Sequence, residues 1–127
     1  GDGMQIRDWL HVDDHCSAII ATLDRGQPGQ RYNIGGNNEQ RNLFVVKKIC
    51  QILDDLIPRE TGGSYSNLIK FISDRPGHDN RYAVNNTKIS SEIGWIPKWD
   101  FDAGLKSTAK WYLENHEWLK LAKREQI

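Results

Sequence analysis

Residues 71–84 read FISDRPGHDNRYAV, and the fold turns on how this stretch is divided. LIKFIS, residues 68–73, alternates its side chains as a half-buried strand does. RYAVN, residues 81–85, reads as a second extended piece. Between them stands Asp74-Arg75-Pro76-Gly77-His78. Pro76 biases Arg75 to an extended backbone, and Gly77 permits a sharp turn and close approach to a ligand. Arginine and histidine flanking a Pro-Gly turn are an unusual choice for a plain connector.

Downstream, Thr87 is placed to cap a short helix that Gly94 closes. WIPKW, residues 95–99, is extended, and Asp100 or Asp102 opens a last helix with Leu105, Thr108, Ala109, Tyr112, Leu113 and His116 along one side. Upstream, RETGGSYSN, residues 59–67, reads as a polar loop. Val45, Val46, Ile49, Cys50, Ile52, Leu53 and Leu56 recur at helical spacing behind Asn42, which is the expected N-cap, and Pro58 ends that helix. RYNIGG, residues 31–36, reads as a short strand, and GGNNEQRN, residues 35–42, as loop. Asp13 is the expected cap of a first helix that buries Cys16, Ile19, Ile20 and Leu23. The first twelve residues read as extended. The pattern predicts one mixed α/β unit, α+β-like, of short strands and several helices.

Bulk properties narrow the function. The 127 residues suit one domain. Seventeen Lys+Arg balance seventeen Asp+Glu, which argues against a nucleic-acid or anionic-membrane footprint while leaving room for a local anion pocket. No apolar run approaches the ~20 residues of a membrane span, and the start has no secretory pattern. Cys16 and Cys50 lack metal-type spacing and read as free thiols. Five Trp, four Tyr and three Phe are a heavy aromatic load, and the few short strands make a poor sheet. Both suggest a portion of a larger protein, with some rings meant for a partner surface.

Catalytic motifs are missing. Gly1 and Gly3 do not continue into a GxGxxG loop, and four residues after Tyr32, Tyr65, Tyr82 and Tyr112 come Gly36, Ile69, Asn86 and His116, never lysine. There is no GxSxG and no HExxH. His11, Asp13, Asp14 and His15 lack a third ligand at a familiar metal spacing, so no metal is expected. Trp111, Tyr112 and Trp118 read as core or interface. What remains is anion binding: Arg7 and Arg75 can form a fork-shaped clamp for a diphosphate, with His78 as a ring donor or acceptor and Asn42 at a helix start. The competing reading pairs Arg75 with Asp74, Asp79 or Glu60 in a rigid turn.

The blocks GDGMQIRDWLHVDDHCSAI, YNIGGNNEQRNL, DRPGHDNRYAV and TKISSEIGWIPKWDFDAGLKSTAKWYLEN follow one another over nearly the whole chain. Together they resemble the C-terminal part of the dTDP-glucose 4,6-dehydratase family, a branch of the extended short-chain dehydrogenase/reductases. GDP-mannose dehydratase-like and UDP-sugar epimerase-like relatives fit less well, and a non-catalytic interaction module is the rival class. The resemblance implies a cytoplasmic, NAD-dependent lyase that converts dTDP-glucose to dTDP-4-keto-6-deoxyglucose on the way to deoxysugars such as rhamnose, working as a homodimer. NAD and the catalytic residues would belong to a Rossmann part outside residues 1–127. By the same resemblance Arg7, Asn42 and the loop Asp74, Arg75, Pro76, Gly77 and His78 hold the dTDP-sugar. The isolated chain is then expected to be inactive.

Overall fold

The structure, a computed structural model, describes residues 1–124. It is mixed α/β. In chain order its elements are β1 (Ile6–Asp8), α1 (Val12–Arg25), β2 (Glu39–Arg41), α2 (Asn42–Leu56), a 3-10 turn (Tyr65–Leu68), β3 (Arg81–Tyr82), α3 (Thr87–Ile93), α4 (Phe101–Glu114) and α5 (His116–Arg124).

The sheet has β1 at its centre, in the order β2-β1-β3. β2 runs antiparallel to β1, with Arg7 opposite Gln40, and β3 runs parallel, with Arg7 beside Tyr82. Glu39 and Arg81, on the two outer strands, close a two-point ion pair at 2.6 Å for each contact. Fork-to-carboxylate geometry of this kind fixes orientation as well as charge.

Ala18 and Ala21 of α1 meet Ile89 and Ile93 of α3 and Trp95 beyond it, with Leu10, Tyr32 and Ile34 packed around them. Small residues on α1 let the two helices approach closely. Asp14, one turn before Ala18, is also buried, and its carboxylate accepts the backbone N–H groups of Lys98 and Trp99 at 2.9–3.1 Å. That fastens the chain after α3 to the first turn of α1. α2 buries Val45 and Cys50 and lies against α4, where Phe44 stacks on Phe101 and Lys48 pairs with Asp102.

Several sequence expectations change here. Residues 31–36 form no strand; Tyr32 and Ile34 do face the core, but the chain then wraps around Asp8, whose carboxylate accepts from Gly36 and Asn38 N–H. A Cβ on Gly36 would collide with the Trp9 carbonyl oxygen, so the wrap requires glycine there. Residues 68–73 form no strand either: Leu68 ends the 3-10 turn and 69–73 are irregular, with Phe71 and Ile72 exposed, because no described strand lies beside them. The second strand comes instead from Glu39–Arg41, inside the expected loop. Cap positions shift by one or two residues. His11, not Asp13, caps α1, its ring nitrogen accepting from Asp13 N–H; Arg41, not Asn42, is the cap residue of α2; Asn86, not Thr87, precedes α3. Asp100 caps α4 through Ala103 N–H, and Gly94 closes α3 in the left-handed region at φ 72°. The last helix is two, divided at Asn115. The expected buried face of α1 points outward: Cys16, Ile19, Ile20 and Leu23 are exposed, Leu23 at 82%. Cys50 is buried, and both thiols are free.

Candidate functional site

Of the residues singled out from sequence, Arg7 lies on β1, Asn42 opens α2 with its N–H on Gln5, and Asp74 to His78 form a turn tied to Gln5 through Asp74. Asp74, at the head of the loop, gathers three donors. Its Oδ1 accepts Arg75 N–H at 2.9 Å and His78 Nδ1–H at 2.7 Å, and its Oδ2 accepts the Gln5 side-chain amide at 2.7 Å. The hydrogen bond from His78, and less strongly the one from Arg75 N–H, hold the Asp74 carboxyl below the usual carboxylate range, partly opposed by desolvation. Pro76 and Gly77 occupy the middle of the turn, and Gly77 takes φ 71°, the sign that the third position of a type II turn demands.

The loop is tied to β1 at three further points. Ile6 N–H donates to Asn80 O at 2.8 Å, and both terminal nitrogens of Arg7 donate to Asp79 O at 3.1 Å. Arg7 Nη1 also reaches its own neighbour's carbonyl, Ile6 O. Arg7 therefore acts on the loop's backbone, fixing where it leaves the sheet. Arg75 differs. It is exposed, and among the described residues its guanidinium has no hydrogen bond or ion pair, with Asp74, Asp79 or Glu60 or any other partner. The rigid-turn pairing is thus absent among the described residues. Asn42 opens α2 beside β1, its N–H given to Gln5 O at 2.9 Å while Leu43 N–H goes to Gly3 O. These bonds consume part of the helix-start donor set, leaving the Asn42 side-chain amide without a partner among the described residues.

An open groove of about 670 Å³ runs beside this assembly, lined by Gln5, Ile6, Arg41, Phe71, Asp74 and Arg81 among others. Neither Arg7 nor Arg75 lines it. A second, more apolar groove of about 640 Å³ lies between the start of α1 and α4, walled by Trp9, Trp99, Phe101, Trp111 and Trp118. There His11 stacks on Trp99 with centroids 4.2 Å apart, and Trp111 meets Trp118 edge to face. His11 is thereby a cap and a packing residue, and His15 is exposed. Among the described residues no group of three His, Cys, Asp or Glu is arranged to hold a metal. No helix among the described residues is long and apolar enough to cross a membrane.

Sequence reasoning missed Gln5, Asp8 and Asp14. Each is a polar residue with little local signal, whose partners lie 28 to 85 positions away.

The profile of the family described as GDP-mannose 4,6 dehydratase matches residues 1–108. The chain belongs to that family. Within it, the chain is 50% identical over 120 residues to a dTDP-glucose 4,6-dehydratase of Escherichia coli, a match spanning 93% of this chain and 33% of that protein. Among solved structures, the dTDP-glucose 4,6-dehydratase of Bacillus anthracis, in complex with NAD, superposes with a TM-score of 0.77 at 46% identity, covering 93% of this chain and 34% of the other. That of Streptomyces venezuelae, with NAD and dTDP bound, gives 0.77 at 37% identity over the same shares. The chain thus spans about a third of the length of the relatives it matches. The resemblance first carried by QIRDWL, YNIGG and DRPGH stands, and the fold is a portion of an extended short-chain dehydrogenase/reductase.

Proposed function

We propose that residues 1–127 are the nucleotide-sugar-binding, C-terminal portion of an NAD-dependent lyase that converts dTDP-glucose to dTDP-4-keto-6-deoxyglucose and water. The observation that carries this reading is the half-identity to dTDP-glucose 4,6-dehydratases over 93% of the chain. The geometry supports it: a loop pinned to the central strand presents one unpaired guanidinium, Arg75, and one histidine ring, next to a helix start bearing a free amide. A dTDP-sugar brings a diphosphate and several hydroxyls, which those groups suit. In this reading Arg75 neutralises phosphate, His78 and Asn42 position oxygens, and Arg7 holds the loop in place and lends its remaining N–H groups to the diphosphate.

The described residues do not fit NAD. The turn from β1 into α1 is Trp9-Leu10-His11, and the His11 ring fills the helix start where a dinucleotide pyrophosphate would need free N–H groups and glycines. In this reading NAD and the acid, base and hydride chemistry belong to residues outside this chain. What these residues supply is binding energy remote from the reacting carbons, which holds the hexose in register. The same reading makes the intact enzyme a cytoplasmic homodimer.

The test is a chimera in which this chain replaces the matching third of the Escherichia coli relative. The isolated chain is expected to leave dTDP-glucose unchanged, and the chimera to convert it. A folded, NAD-binding chimera that turns over GDP-mannose or a UDP-sugar but not dTDP-glucose would overturn the substrate assignment.

A further inference from the structure

Gln5 lies just ahead of β1 and is 7% exposed, one of few buried polar side chains in the described chain. Its backbone carbonyl accepts from Asn42, and its side-chain amide donates to Asp74 Oδ2 at 2.7 Å. The other oxygen of the same carboxylate contacts His78 Nδ1, also at 2.7 Å. An ionised carboxylate can only accept, so the proton on that contact belongs to Nδ1. A neutral His78 is then left with Nε2 as an acceptor, and no described residue hydrogen-bonds that nitrogen.

We propose that Gln5 is a positioning residue that sets the tautomer and orientation of His78 through Asp74. A carboxylate with one oxygen free could rotate away from the ring or offer either oxygen to Arg75 N–H. The buried amide of Gln5 fixes Oδ2, which leaves Oδ1 as the seat for His78. The hydrogen bond at one ring nitrogen decides what the other presents, so Nε2 meets a ligand hydroxyl as an acceptor in every neutral molecule. Because the Gln5 carbonyl also holds the first turn of α2, one residue registers Asn42 and His78 to each other. The consequence for a bound sugar nucleotide rests on the function proposed above; the tautomer does not.

Long-range proton–nitrogen correlation on the 127-residue chain, at a pH where His78 is neutral, reads the tautomer directly. The Nδ1–H form is expected to dominate in the wild type. In Gln5→Met, of similar length and without a donor, it is expected to give way to a mixture. Persistence of a dominant Nδ1–H form in a folded Gln5→Met chain would overturn the proposal, as would a dominant Nε2–H form in the wild type. Should the variant not fold, the Gln5 side-chain amide of the wild type decides. The Gln5 side-chain amide signal is expected to shift together with Asp74 protonation, and an amide signal indifferent to it overturns the link. In the chimera, Gln5→Met is expected to raise KM for dTDP-glucose on the order of ten-fold with kcat nearly unchanged. A locked tautomer without any dTDP binding would refute the proposed function and leave the relay standing.

Discussion

The loop at 74–80 and the outer face of α1 belong to the same small chain and are ordered in opposite ways. The loop is exposed and polar, yet Asp74, Arg7 and Ile6 hold it through specific bonds to β1 and its flanks. The outer face of α1 is apolar, with Val12, Ile19, Ile20 and Leu23 in solvent, while the inner face that builds the core consists of Ala18 and Ala21. Polar groups here supply position, and the larger apolar groups are left uncovered. A helix apolar on both sides belongs in a buried layer. In this chain, which matches a third of the length of its relatives, the loop geometry is held by hydrogen bonds while the larger apolar side chains of α1 stay exposed.

The comparison can be broken at its strongest point by Ile89→Ala. Ile89 is fully buried between α1 and α3, and its truncation is expected to cost about 2–5 kcal/mol in denaturant unfolding. A loss below 1 kcal/mol would mean that this core does not hold the fold. Next comes Asp14→Ala, which strips the Lys98 and Trp99 N–H groups of their acceptor. It is expected to cost about 1–3 kcal/mol, and an unchanged midpoint would show that water replaces the carboxylate. Gly77→Ala sharpens the picture of the loop. Open space surrounds a Cβ there, so only the positive φ resists, and about 1 kcal/mol is expected. Leu23→Lys, on the uncovered face, is expected to stay within about 0.5 kcal/mol in this chain; a larger loss would mean that the outer face is packed in solution.

Acid titration separates the regions differently. Asp74, Asp54 and Glu39 are all held below their ordinary range, chiefly by hydrogen bonds from His78, Ser64 and Arg81 respectively. A carboxylate with a depressed folded pKa stabilises the fold at pH above its unfolded value, and that contribution is lost as pH falls through the folded one. Thermal stability is therefore expected to decline on acidification below about pH 4. Asp54→Asn is expected to make that decline shallower, and an identical acid profile would contradict the assignment.

Much of the helical architecture was legible. α2 and α3 announce themselves through apolar periodicity, Pro58 and Gly94, and Asp100 marks the start of α4. The strands were not, for a physical reason. β2 is Glu-Gln-Arg and β3 only Arg-Tyr, too short for alternation to register, and both exist because β1 lies between them. Residues 31–36 and 68–73 carry strand-like composition, but composition does not supply a neighbouring strand. α1 misled because bulk pointed to Ile19, Ile20 and Leu23, whereas close helix packing favoured alanine. For the candidate site, residue type and turn chemistry singled out the DRPGH stretch, and a turn does stand there; composition alone left an anion clamp and a rigid surface turn both open, and the family resemblance was needed to favour the clamp. Gln5 was invisible, since its significance rests on a partner 69 positions away.

Calorimetric titration of dTDP into the folded chimera, with Arg75 intact and as Arg75→Ala, tests the central claim most directly. Removing the unpaired guanidinium is expected to weaken binding by about 2–5 kcal/mol. A dissociation constant unchanged by the substitution would contradict the assignment of this loop to the diphosphate.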